Sequence, residues 1–237
     1  MSVRIGVISD IHQEMHISPV RIESDCDILV IAGDLTSGGQ LQQELSALGD
    51  RFKNVVYVPG NHEFYGYNFK TILNVRDNLP DNVHYLYNEA KIIDGIRFVG
   101  TTLWFPNDPM NFSFERLLND FKLIPNFRSW VYSENTKAQK FLNSHVKDGD
   151  FVVTHHLPSH LGVASRYVGS QLNRFFVSPV QENLFAKAKV WNFGHTHDYV
   201  NLKHMNCQLI CNPYGYKSRP VNEDGFQIIN PEIITFN

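Results

Sequence analysis

Five short clusters along this chain carry the side chains best suited to hold a metal ion: Asp10 with His12, Asp34, Asn61, His155, and His195 with His197. Imidazole and carboxylate groups mixed with one amide oxygen suit Mn, Fe, Zn, Co or Ni better than Ca or Mg. A carboxylate that touches two cations at once can keep them about 3.5 to 4 Å apart, as in two-metal hydrolases, and Asp34 is the candidate for that bridge. Asp10 and His12 stand two positions apart on an extended stretch and can chelate one ion together. His195 and His197 have the same spacing and can give one ligand to each ion. Two divalent cations outweigh the charge of two aspartates, and the surplus favours a bound hydroxide together with an anionic substrate. Phosphate esters fit that charge.

Each cluster follows directly on a run that reads as a β-strand. Val3–Ile8, Ile28–Ala32 and residues 55–58, 151–153 and 190–193 are short, β-branched or aromatic, and nearly unbroken in apolar character, as in strands covered on both faces. If these strands lie parallel in one sheet, all the metal-binding side chains converge on a single edge. Gly33, Gly60 and Gly194 stand beside the polar groups, where small size lets the backbone approach an ion or a phosphate. Residues 40–48, 68–77 and 134–146 have helical composition and fit crossover connections. Asp94-Gly95 predicts a hairpin between residues 92–93 and 96–100, and further strands are expected at 200–203, at 208–211 and, ending the fold, at 226–229. The pattern as a whole predicts an α/β protein with a mixed two-sheet core flanked by helices.

Composition sets the bounds. At 237 residues, with 43% hydrophobic and 19% charged residues, the chain can form one domain over residues 1–237 with a sizeable core. It shows no repeat, low-complexity tract or Gly/Ser-rich linker. The net charge is −3 and no basic run occurs, which weighs against a nucleic-acid surface. No signal peptide and no apolar span of membrane length are seen, and the cysteines Cys26, Cys207 and Cys211 are odd in number, so a reducing cytoplasm is expected. Cys207 and Cys211 lack partners at zinc-finger spacing and read as buried thiols.

Taken in order, Asp10-x-His12, Gly33-Asp34, Gly60-Asn61-His62-Glu63, Thr154-His155-His156 and Gly194-His195-Thr196-His197 resemble the signature blocks of the calcineurin-like metallophosphoesterases. The resemblance implies a four-layer α/β/β/α sandwich with two mixed β-sheets. It implies one divalent transition-metal ion held by Asp10, His12, Asp34 and His197, and a second held by Asp34, Asn61, His155 and His195. It also implies that His62 faces a small phosphate-ester substrate, stabilising the phosphoryl oxygens and protonating the leaving alkoxide, with Asn61 beside it. Many relatives support this histidine with an aspartate just after the Gly-Asp block. Here the stretch is Asp34-Leu35-Thr36-Ser37-Gly38, without a further carboxylate, and the partner that orients His62 is left open.

Other residues carry weaker signals. His156 follows a candidate ligand and can either touch phosphate or pack behind the site. Glu63 reads as a local hydrogen-bond partner, and His16, His84, His145, His160 and His204 as solvent-facing or capped histidines. Residues 101–130 are rich in aromatics, including Trp104, Phe105, Phe112, Phe127 and Trp130, and read as a packed cap more than as a base-stacking platform. Arg166 and Arg174 in residues 157–179 could reach a phosphate. Asn212-Pro213-Tyr214-Gly215-Tyr216 resembles a late block of some bacterial relatives, with Tyr214 where an arginine often stands. The leading expectation is a phosphoesterase acting on a small phosphodiester or phosphomonoester, with a cyclic nucleotide as one candidate. A nuclease, a protein phosphatase, or a non-catalytic binding protein on the same scaffold are the alternatives.

Overall fold

The computed structural model describes residues 2–236. Strands β1 (Val3–Ile8), β3 (Ile28–Ala32), β4 (Asn54–Val58) and β5 (Val83–Tyr85) run parallel in one sheet. The chain's last strand, β13 (Glu232–Phe236), closes its edge antiparallel to β1. A second sheet has the order β10 (Val200–His204), β11 (Cys207–Cys211), β9 (Val190–Asn192), β8 (Phe151–Thr154), β7 (Ile96–Thr101), β6 (Glu89–Ile93), with antiparallel pairing at both edges. A short pair, β2 (Val20–Ile22) with β12 (Gln227–Ile229), stands apart.

Side chains alternate across each strand, and the alternation sorts them into separate cores. Val30 and Val56 of the first sheet and Phe151 and Val190 of the second fill the layer between the sheets. Leu29, Ile31 and Tyr57 point the other way, onto helices α1 (Leu41–Gly49) and α2 (Phe69–Asn74). The short helices α3 (Asn111–Phe114) and α4 (Asp120–Leu123) follow β7. Val152 and Trp191 meet helices α5 (Val131–His145) and α6 (Glu182–Lys187) through Leu142 and Phe185. The result is the four-layer α/β/β/α sandwich, and no helix among the described residues is long and apolar enough to cross a membrane.

Three expectations need correction. The strands that carry the metal-binding residues divide between two sheets. The Asp94-Gly95 hairpin, with both residues at positive φ, starts the second sheet antiparallel rather than extending the first. Splitting the strands lets both sheets bury both faces without the twist that one sheet of that width would accumulate. Residues 226–229 do not end the fold, because Pro231 separates β12 from β13 and frees the latter to reach the β1 edge. His84, expected at the surface, is buried on β5, with Nε2 3.1 Å from Asn54 Oδ1. Short strands such as β2 and β5 gave too little pattern to be read, and α5 begins three residues before the expected 134 because Val131 packs in the core.

Candidate metal centre

The carboxyl ends of β1, β3 and β4 meet those of β8 and β9 across the layer between the sheets. Backbone hydrogen bonds run from Asp10 to the Gly33 carbonyl and from Gly194 to the His155 carbonyl, each 3.0 Å. The His195 N–H donates to Asp10 Oδ1 at 2.8 Å and so ties one sheet's edge to the other's. Such proximity requires glycine. A Cβ on Gly33 would strike the His155 ring, and one on Gly60 would strike the Asp34 carboxylate. Asp10, His12, Asp34, His195 and His197 all hold left-handed backbone, with φ between 50° and 69°. Non-glycine residues rarely accept that region, and such strain gathers where function over-determines the chain.

One ligand atom from each of Asp10, His12, Asp34 and His197 lies within 4.8 Å of the others, and the same holds for Asp34, His155 and His195. Asp34 alone belongs to both groups, with Oδ2 3.6 Å from His12 Nε2 and 3.4 Å from His155 Nε2. Asn61 joins the second group through Oδ1, 3.0 Å from His155 Nε2. The seven residues expected as metal ligands are therefore brought together.

The donor chemistry fits cations. His12 Nε2 faces His197 Nε2 at 3.0 Å, and His155 Nε2 faces His195 Nδ1 at 3.2 Å. Facing imidazole nitrogens share at most one proton, so converging lone pairs of this kind suit a metal ion. The His155 Nδ1–H donates to the Ala32 carbonyl at 2.8 Å, which turns Nε2 into the site. Asp34, fully buried, is held well below the usual carboxylate range: burial opposes this, but the charge of His155 and then of His62 outweighs it. The same contact raises His155 to about 10 against its own burial.

Around this cluster stand Glu14 and Asp120, which the sequence reading missed, Tyr216, which it named without this contact, and Glu63, the local hydrogen-bond partner it expected. Glu14 Oε1 accepts from His62 Nδ1 at 2.9 Å, and the Tyr216 hydroxyl lies 3.1 Å from His62 Nε2. His62 thus finds its carboxylate two residues after His12, in Asp10-x-His12-x-Glu14, instead of after Asp34. Burial disfavours charge on His62, yet Asp34 and the Glu14 bond outweigh it and raise the imidazole to about 9. Burial pushes Glu14 up, but bonds from His12 and His62 bring it down to about 2. Asp120 Oδ1 accepts from Asn61 Nδ2 at 2.8 Å and from the Tyr65 hydroxyl at 2.7 Å, which fixes the Asn61 amide with its oxygen toward His155. Glu63 cross-braces the loops, accepting from the N–H groups of Leu35 at 2.7 Å and Gly60 at 2.8 Å.

His156 departs from the substrate-touching reading. Its ring is fully buried behind His195, with Nδ1 3.2 Å from the Thr102 carbonyl, and burial together with the His155 charge drives it down to about 3. A cavity of about 510 Å³ opens on Asp34, Asn61, His62, His195 and His197, and His156 does not line it. Nor do Arg166, which pairs with Asp198, or Arg174, which pairs with Asp108. Trp104, Phe105 and Phe127 of the aromatic stretch are core, as the packed-cap reading expects.

Comparison with known proteins agrees with this geometry. The family model of calcineurin-like phosphoesterases matches residues 3–199. The chain belongs to that family. As a calcineurin-like phosphoesterase it is similar to an uncharacterized protein of Acanthamoeba polyphaga mimivirus, 24% identical over 216 residues that cover 79% of this chain and 76% of that one. Among solved structures it resembles the phosphopantetheinyl hydrolase of Mycobacterium tuberculosis, with a TM-score of 0.68 at 16% identity, covering 90% of this phosphoesterase and 89% of that chain. A protein of Thermus thermophilus gives a TM-score of 0.51 at 14% identity, covering 89% of each chain. At these identities the solved structures speak for the fold alone.

Proposed function

We propose that this chain is a binuclear metal-dependent phosphoesterase that hydrolyses small phosphodiesters or phosphomonoesters, acting as one domain over residues 1–237. The observation that carries the reading is the sharing of Asp34 between two donor clusters at the floor of an open cavity. Asp10, His12, Asp34 and His197 would hold one divalent cation, and Asp34, Asn61, His155 and His195 the other. Bound there, the cations would lower the pKa of water and stabilise charge on the phosphoryl oxygens.

The remaining steps belong to the protein's own groups. His62 borders the cavity with Nε2 close to the Tyr216 hydroxyl, and in this reading Nε2 would face the leaving oxygen. Cations in the cluster would offset the charge of Asp34, leaving the Glu14 contact to keep the proton on Nδ1 and the ring in one orientation. Nε2–H can then donate to the leaving alkoxide, a proton transfer typically contributing about 10²- to 10⁴-fold. Asp120 holds the Asn61 amide with its oxygen turned to His155, where it would be free to ligate a cation. Free, buried Cys26, Cys207 and Cys211 accord with a reducing compartment, and we assign the protein to the cytoplasm.

The test is a parallel assay of bis-p-nitrophenyl phosphate and p-nitrophenyl phosphate after chelation and reloading with Mn, Fe, Ni or Zn. Turnover restored by metal supports the reading, whereas no hydrolysis of either ester under any metal favours a non-catalytic scaffold.

A further inference from the structure

Above the metal cluster the cavity walls change character. Leu117, Leu118, Leu157, Val163, Leu172 and Phe176 line it, and Tyr167 and Tyr216, about half exposed, form its mouth. Ser170, Asn119 and Asn173 supply a few uncharged polar groups. Among the described residues that line it there is no lysine or arginine. Arg166 lies just outside, over the Tyr167 ring, with its guanidinium bonded to both Asp198 oxygens at 2.6 and 2.7 Å. Arg174 belongs to a separate hollow and is bonded to Asp108. Near the cluster the lining carries the carboxylates of Asp34 and the buried Asp120, with the His62 imidazole beside them.

We propose, resting on the phosphoesterase reading, that this cavity selects substrates with one phosphoryl group and an uncharged, largely apolar leaving group, and discriminates against di- and triphosphates. One phosphoryl group is served by the cations the cluster would hold. Beyond His62 at the floor, a second or third phosphate would meet apolar walls that carry no lysine or arginine, beside Asp120, and would lose its hydration without replacement. An alkyl or aryl group, in contrast, gains by leaving water for the leucine walls. The volume, and walls on which apolar surface predominates, are those of a site that binds by shape and apolar contact and orients by a few hydrogen bonds.

The experiment uses the full chain loaded with Mn and alkyl esters of similar intrinsic reactivity, ethyl, butyl, hexyl and glycerol phosphate, with adenosine diphosphate, an anhydride of higher intrinsic reactivity, as the polyphosphate probe. kcat/KM should rise along the alkyl series by up to about fourfold for each CH₂ that becomes buried, with glycerol phosphate no better than ethyl phosphate and the diphosphate poorest. Leu172→Lys should flatten the alkyl slope and improve the diphosphate relative to hexyl phosphate. Leu118→Lys on the opposite stretch tests the same point should the first variant fold poorly. A flat alkyl slope in an active enzyme, or preference for the diphosphate, overturns the inference while leaving the phosphoesterase reading intact. Calorimetry with ethyl- and hexylphosphonate and methylenediphosphonate reads binding without turnover. Tighter binding of the hexyl compound supports the inference even if no ester is cleaved, an outcome that would remove the phosphoesterase reading alone. Equal affinities, or a preference for the diphosphonate, reject it.

Discussion

At the floor of the site, Asp10, His12, Asp34, His155, His195 and His197 follow within a few residues of β1, β3, β8 and β9, whereas the walls above come from short helices and loops between residues 111 and 179. The floor inherits its precision from strand ladders and from hydrogen bonds that join the two sheets. The walls are held mainly by side-chain packing: Leu118, Leu172 and Phe176 are partly buried against the core and partly open to the cavity. A change in the floor should therefore act on every substrate alike, and a change in a wall should re-rank substrates.

The largest effect is expected at the shared residue. Asp34→Asn should reduce metal content per chain, measured by elemental analysis, and lower turnover of all esters by at least ~10³-fold, since two-metal chemistry needs both ions placed. Retention of both metals with normal turnover would remove Asp34 from the centre of the site. His62→Ala should lower kcat by about 10²-fold or more with metal content unchanged. Glu14→Gln should give a smaller loss that grows with the leaving-group pKa, because poor leaving groups depend most on the proton that Glu14 helps to hold; an equal loss on p-nitrophenyl and alkyl esters would reduce Glu14 to a structural role.

Next in size is the wall residue that touches the floor. Asp120→Asn should weaken metal affinity by roughly 10- to 100-fold, as for other groups that orient a ligand, read from the metal concentration that half-restores activity. Unchanged affinity would show that Asn61 does not need that bond.

The smallest expected effect concerns pH. In the metal-free protein His155 is raised to about 10 by Asp34, so their contact contributes stability that is full below an unfolded histidine's pKa of about 6.5 and is lost as pH rises through about 10. Metal requires the neutral ring, so binding near neutrality expels that proton and apparent affinity rises with pH until about 10. Melting curves with and without chelator should diverge as pH increases from 6.5. A constant separation would mean that His155 binds no metal.

The difference between floor and walls also separates what was legible from what was not. Asp10, His12, Asp34, Asn61, His155, His195 and His197 could be read because each stands where an apolar run stops and a polar residue follows, a local signal with a local cause. The Asp94-Gly95 hairpin and α1 were readable for the same reason, through turn chemistry and helical composition. Glu14 was within reach, since it lies on the same short turn as His12, but nothing along the chain says that its carboxylate meets a ring 48 positions away. Asp120 gave no signal, lying in an aromatic stretch whose visible feature is core packing, and Tyr216, five residues past β11, stood in a recognisable block that says nothing of its contact with His62.

By itself, then, the sequence determined the alternation of strands and helices and the identity of the groups that gather at the strand ends, because both follow from side-chain type and periodicity between near neighbours. The tertiary structure alone decided that the ligand-bearing strands divide between the two sheets, that Glu14 and Tyr216 flank His62, that Asp120 reaches Asn61, and that no lysine or arginine among the described residues lines the cavity. Those facts depend on residues far apart in the chain arriving at one place, which packing of the whole core enforces and no local pattern encodes.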